Sequence, residues 1–129
     1  MSGDWHLQHR LLGRLAGRTA LMWIFTDKGF LSIVQHNTLP DCFQVKSRVI
    51  EPLEILWPDH EIEVIDWADY RFRITIVKSE VLPVLMEVMA SVGYTSFKDA
   101  CRDDYNYHNA LSRIWVEMYH YQTKMEANE

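Results

Sequence analysis

Four cations at alternate positions of two short segments have the types and spacing for binding chemistry. Lys46 and Arg48 alternate with Val45 and Ser47, and Arg71 and Arg73 flank Phe72. A period of two places Lys46 and Arg48 on one face of a strand, and Arg71 and Arg73 on one face of another. The planar fork of arginine matches phosphate or carboxylate, and lysine adds a point charge. Tyr70 supplies an aromatic ring at the start of the second segment, beside Asp69, and Lys98 lies further along. An open sheet carrying basic and aromatic side chains is one way in which single-stranded RNA is held. The candidate ligand-binding set is therefore Lys46, Arg48, Asp69, Tyr70, Arg71, Arg73 and Lys98, for an anionic ligand such as a nucleotide or an RNA segment. The competing reading is charge pairing. Glu61 and Glu63 alternate in the same way, and Glu63 is expected opposite Arg73.

Other chemistries find less support. Cys42 stands near His36 and Asp41, a thiol beside a base, but no local motif supplies an orienting group or an oxyanion pocket. It reads as a half-buried structural cysteine. The histidines are His6, His9, His36, His60, His108 and His120, with no HExxH and no paired CxxC. Asp103 and Asp104 beside His108 read as acids favoured at a helix N-terminus. No metal, cofactor or catalytic residue is assigned, and there is no glycine-rich phosphate loop or G-x-S-x-G elbow. The expected function is that of a small non-enzymatic binding module for an anionic ligand or a protein partner. The rival is a small enzyme with a pocket built from Asp69, Tyr70, Arg73 and Lys98. Convergence of those four side chains decides between the two.

Composition sets the frame for these residues. A chain of 129 residues, 48% hydrophobic, with 5 Trp, 6 Tyr and 5 Phe, has the apolar material for one core and is not a disordered chain. A net charge of −5 argues against coating DNA by phosphate neutralisation, although it allows a local basic face. Two cysteines make no disulfide scaffold and suit a reduced, cytoplasmic setting. No apolar run approaches the roughly 20 residues of a membrane span. Residues 1–21 differ from the rest. Arg10, Arg14 and Arg18 stand against Asp4 alone, and Trp5, Leu7, Leu11, Leu12 and Leu15 share one broad side of a helix. Gly13 and Gly17 weaken that helix by about 1 kcal/mol each relative to Ala. This leader reads as a frayed N-terminal helix resting on the domain, with a membrane-surface or targeting segment as the alternative. Residues 22–124 read as a single α+β domain and 125–129 as a fraying tail.

The elements that must position the cations follow from periodicity. Met22–Phe25 and Phe30–Val34 flank Thr26-Asp27-Lys28-Gly29 and predict a hairpin, an apolar stretch without recognisable chemistry of its own. Cys42–Val49 alternates as a strand, and a short helix runs from Glu51 to Trp57, stopped by Pro58. Glu61–Asp66 and Arg71–Val77 form a second hairpin with Val64 opposite Phe72. A helix from Glu80 to Val92 takes Ser79 as N-cap and Gly93 as the residue after its end, with Leu82, Leu85, Met86 and Met89 as its buried stripe. Ser96 caps a helical piece from Phe97 to Asp103. The last helix, Tyr105 to Lys124, carries Leu111, Ile114, Trp115, Met118 and Tyr121 or Gln122 at helical spacing. Its Tyr105, Tyr107, Trp115, Tyr119 and Tyr121 exceed what one buried stripe needs and point to a homodimer or partner surface. The fold class is an α+β two-layer sandwich, one mainly antiparallel sheet of four or five strands with helices on one face.

Several motifs together resemble a family of small uncharacterised bacterial proteins. They are Trp23-Ile24-Phe25-Thr26 with Gly29-Phe30, Asp69-Tyr70 with Arg73, Tyr94 with Phe97-Lys98, and Trp115, Met118-Tyr119 and Gln122. The resemblance spans Met22 to Gln122 and implies a small bacterial domain, with no activity to carry over. Proteins of this kind begin at about Met22, so the leader is a departure from the pattern.

Overall fold

A computed structural model describes residues 21–128. The basic leader lies outside the described residues, apart from Leu21. The chain runs β1 (Leu21–Thr26), β2 (Gly29–Gln35), β3 (Cys42–Ser47), α1 (Glu51–Leu56), β4 (Glu63–Val64), β5 (Phe72–Val77), α2 (Lys78–Ala90), α3 (Phe97–Ala100) and α4 (Tyr105–Ala127). The strands form one sheet in the order β1-β2-β3-β5-β4, and every pairing is antiparallel. This is the expected α+β architecture. The chain divides into two compact units, the first ending at Ser91 and the second beginning at Val92.

In the first unit, Thr26 and Gly29 close the β1–β2 hairpin around Asp27 and Lys28. The Thr26 hydroxyl donates to the Gly29 carbonyl at 2.8 Å and accepts from the Lys28 and Gly29 amides at 3.1 Å. Gly29 has φ +139°, and a Cβ there would collide with the ring of Pro52. The glycine serves twice: it turns the chain, and it lets the first turn of α1 approach the hairpin.

Pairing register divides the sheet side chains between two faces. Ile24, Leu31, Ile33, Phe43, Val45, Phe72, Ile74 and Ile76 share one core with Leu53 and Leu56 of α1, with Trp57 just beyond it, and with Val81, Val84 and Leu85 of α2. Leu31, Val45, Leu53 and Val81 are completely buried. Each such side chain contributes about 1.5–3 kcal/mol relative to an exposed one.

The second helix corrects the expected stripe. Val81 is buried, whereas Leu82, Met86 and Met89 are 54%, 69% and 76% exposed. Both sets have helical spacing, because the segment is apolar nearly all round, so spacing alone cannot choose the phase. The exit from β5 chooses it. The helix begins at Lys78, directly after the strand, with Val77 as a cap that lends no side-chain bond. The Lys78 amide donates to the Asp41 carbonyl at 2.9 Å and fixes that start. Ser79 is therefore inside the helix, Ser91 rather than Gly93 follows its last residue, and Pro83 sits in the second turn, where an intrahelical bond is lost.

Strand β4 is shorter than expected, but its register is the expected one: Glu63 faces Arg73 and Val64 faces Phe72. In the second unit Ser96 caps α3, accepting from the Asp99 amide at 3.4 Å. That helix stops at Ala100 rather than Asp103. Asp104 caps α4, accepting from the Tyr107 amide at 3.1 Å. The last helix continues through Met125, Glu126 and Ala127, residues assigned above to a fraying tail. Its apolar stripe is buried only at Leu111 and half-buried at Ile114. Trp115, Met118, Tyr121 and Met125 are exposed.

Candidate anion-binding face of the sheet

Alternation along each strand fixes what lies opposite the core. Trp23 and Phe25 of β1, Phe30 and Ser32 of β2, Gln44 and Lys46 of β3, Arg73 and Thr75 of β5, and Glu63 of β4 share the other face. The register aligns five of them in one row, Trp23–Ser32–Lys46–Arg73–Glu63. At the usual strand spacing this row spans roughly 19 Å. Neither α1 nor α2 contributes to this face, since both pack into the core.

A band of aromatic rings adjoins the cations. Phe25 stacks on Phe30 with centroids 4.6 Å apart, Trp23 meets Phe30 edge-on at 5.9 Å, and Phe30 lies 6.3 Å from Tyr70. Trp23 is 59% exposed. The Arg48 guanidinium covers the Tyr70 ring, its Cζ 4.3 Å from the centroid, while Nη1 donates to both the carboxylate and the carbonyl of Asp69 at 3.1 Å. That clamp holds buried Tyr70 in the loop between β4 and β5.

The four predicted cations fall into two classes. Arg48 is paired with Asp69, and Arg71 with Asp66 at 2.8 Å, its Cζ lying 5.4 Å from the Phe72 ring centroid. Lys46 and Arg73 face each other across β3 and β5 and are half-buried. Among the described residues neither has a carboxylate within 4.0 Å. Glu63, the expected partner, shares the row with Arg73 without closing an ion pair. Charge pairing thus occurs, but at the rim and with loop aspartates rather than Glu61 or Glu63. Arg73 donates from Nη2 to the Tyr70 carbonyl at 3.0 Å, and its Nε is buried with no hydrogen-bond partner. Burial and then the charge of Arg73 hold the Lys46 ammonium below its ordinary pKa of 10.5, against a smaller opposing pull from Asp69. Like charges directly opposite each other on a sheet are destabilising, and here the desolvation of the pair adds to that cost.

Lys98 belongs to the second unit, where its Nζ stands 5.4 Å from the centre of the Trp115 ring. Of the rival enzyme pocket, Asp69 and Tyr70 meet around Arg48, Arg73 reaches the Tyr70 carbonyl, and Lys98 is engaged with Trp115. His36 is engaged as well: its Nδ1 accepts from the Thr38 and Leu39 amides at 3.1 Å and closes the β2–β3 loop. Trp23, Phe25, Phe30 and Ser32 are absent from the predicted set because the hairpin carries no recognisable chemistry of its own. Their signal is the alternation with Ile24, Leu31 and Ile33, and it becomes a site only when the register sets Ser32 beside Lys46. Compared with protein-family models, curated proteins and solved structures, the chain matches none.

Proposed function

We propose that the protein is a binding module whose open sheet face holds an anionic ligand of the nucleotide or single-stranded RNA type. The observation that carries this reading is the Lys46–Arg73 pair, with no carboxylate among the described residues within ion-pair reach, on the same face as an aromatic band from which Trp23 is exposed. A phosphate over the two cations would relieve their repulsion and give the guanidinium an acceptor. A base two strands away would stack on Trp23 or the Phe25–Phe30 pair, as bases do on exposed aromatic platforms. The role requires no reacting group, which favours a binding module over an enzyme. With two cysteines in 129 residues, Cys42 and Cys101, the chain suits a reducing, cytoplasmic setting. The exposed α4, with Trp115, Met118, Tyr119 and Tyr121, is read as a second surface, for a protein partner. No helix among the described residues is long and apolar enough to cross a membrane.

Fluorescence anisotropy with a labelled short oligouridylate tests the ligand reading. The wild type is expected to bind, and Lys46→Gln combined with Arg73→Gln to abolish binding while the folded structure is retained. Equal binding by the two proteins would overturn the assignment of the face.

A further inference from the structure

We propose that α4 pairs antiparallel with α4 of a second copy of this chain, a mode that rests on reading α4 as a partner surface. The helix has 23 residues and a length of about 35 Å, and Leu111 is its one buried residue. Leu111, Ile114, Met118, Tyr121 and Met125 follow one another at intervals of three and four, the spacing of a two-stranded coiled-coil seam, which Trp115 widens on one side. Trp115 and Gln122 border the seam on one side, and Glu117 and Lys124 on the other.

Charge selects the orientation. An antiparallel pair that sets Met118 against Tyr121 of the second copy, and Ile114 against Met125, brings Glu117 of each helix beside Lys124 of the other. The two-fold axis makes that ion pair twice and places each Trp115 beside a Gln122. In a parallel pair Glu117 would face Gln122, an uncharged side chain, so that attraction would be lost. The second copy is thus an occupant whose apolar and charged positions both complement this face.

Sedimentation equilibrium of the full chain at about 100 μM reads this directly, since a Kd of about 10 μM would leave roughly a fifth of the chain monomeric. The wild type is expected to be dimeric, and Met118→Glu monomeric with unchanged helix content. Glu117→Lys and Lys124→Glu are each expected to weaken association by about fivefold, and the double variant to restore it. A monomeric wild type, or a Met118→Glu variant that remains dimeric, would overturn pairing of α4 between two copies while leaving α4 as a surface for a different protein. Loss of the dimer on Met118→Glu without restoration by the charge swap would overturn the antiparallel register alone and leave that pairing standing.

Discussion

The two faces of one sheet obey opposite rules. On the core face apolar side chains such as Ile33, Val45 and Ile74 meet across the strands, and α1 and α2 close over them. On the other face the same strands set Lys46 directly against Arg73, leave the Arg73 Nε unpartnered and expose Trp23. Folding explains the first face completely. It gives no reason for the second, where an uncharged pair at the same positions would avoid the repulsion. A local arrangement that opposes stability is where function is best sought.

The contrast can be broken from the core side first. Leu53→Ala removes a fully buried side chain of α1 and is expected to cost about 2–5 kcal/mol in urea denaturation, the largest effect among the substitutions considered. Gly29→Ala should follow at about 1–3 kcal/mol, because it combines a disfavoured φ with collision against Pro52. A loss of a few tenths of a kcal/mol would mean that α1 shifts freely over the hairpin.

The open face should respond differently. Trp23→Ala should change stability little, since the ring is largely exposed, yet weaken oligouridylate binding by about 1–3 kcal/mol. Lys46→Gln should leave stability within about 1 kcal/mol or raise it, because it relieves a repulsion. Its pH dependence sharpens the point. The folded chain holds the Lys46 proton less tightly than the unfolded chain, so between the lowered value and 10.5 the unfolded form binds more protons. Wild-type stability should therefore gain from this group as pH rises through that window, and the gain should be fully present only above 10.5. Urea titrations of wild type and Lys46→Gln across the window should differ by that rise. Parallel curves would mean that Lys46 is not held down by its neighbours.

The sequence makes the sheet legible because alternation and loop length together determine it: Phe72, Ile74 and Ile76 inward, Glu63 opposite Arg73. The phase of α2 is not legible, since Val81 and Leu82 head equally good stripes and only the exit from β5 separates them. The partners of the arginines are hidden for a related reason. Asp69 belongs to a loop whose path no periodicity records, and Asp66, expected as the end of the strand, lies beyond the short β4, whereas Glu61 and Glu63 sit on the outward face of the alternation and attract the assignment. The aromatic half of the site is spread over β1 and β2 and adjoins the cations through the Ser32–Lys46 pairing and through Tyr70 beneath Arg48, neither of which the sequence records.

The most direct test of an anion over Lys46 and Arg73 is the salt dependence of oligouridylate binding to wild type and to Arg73→Gln. The slope of log K against log salt reports the phosphates neutralised, about 0.7 per phosphate on a single strand. The wild type is expected to show a negative slope, and Arg73→Gln a slope shallower by about 0.7 with weaker binding. Identical slopes in the two proteins, or wild-type binding indifferent to salt, would contradict the account.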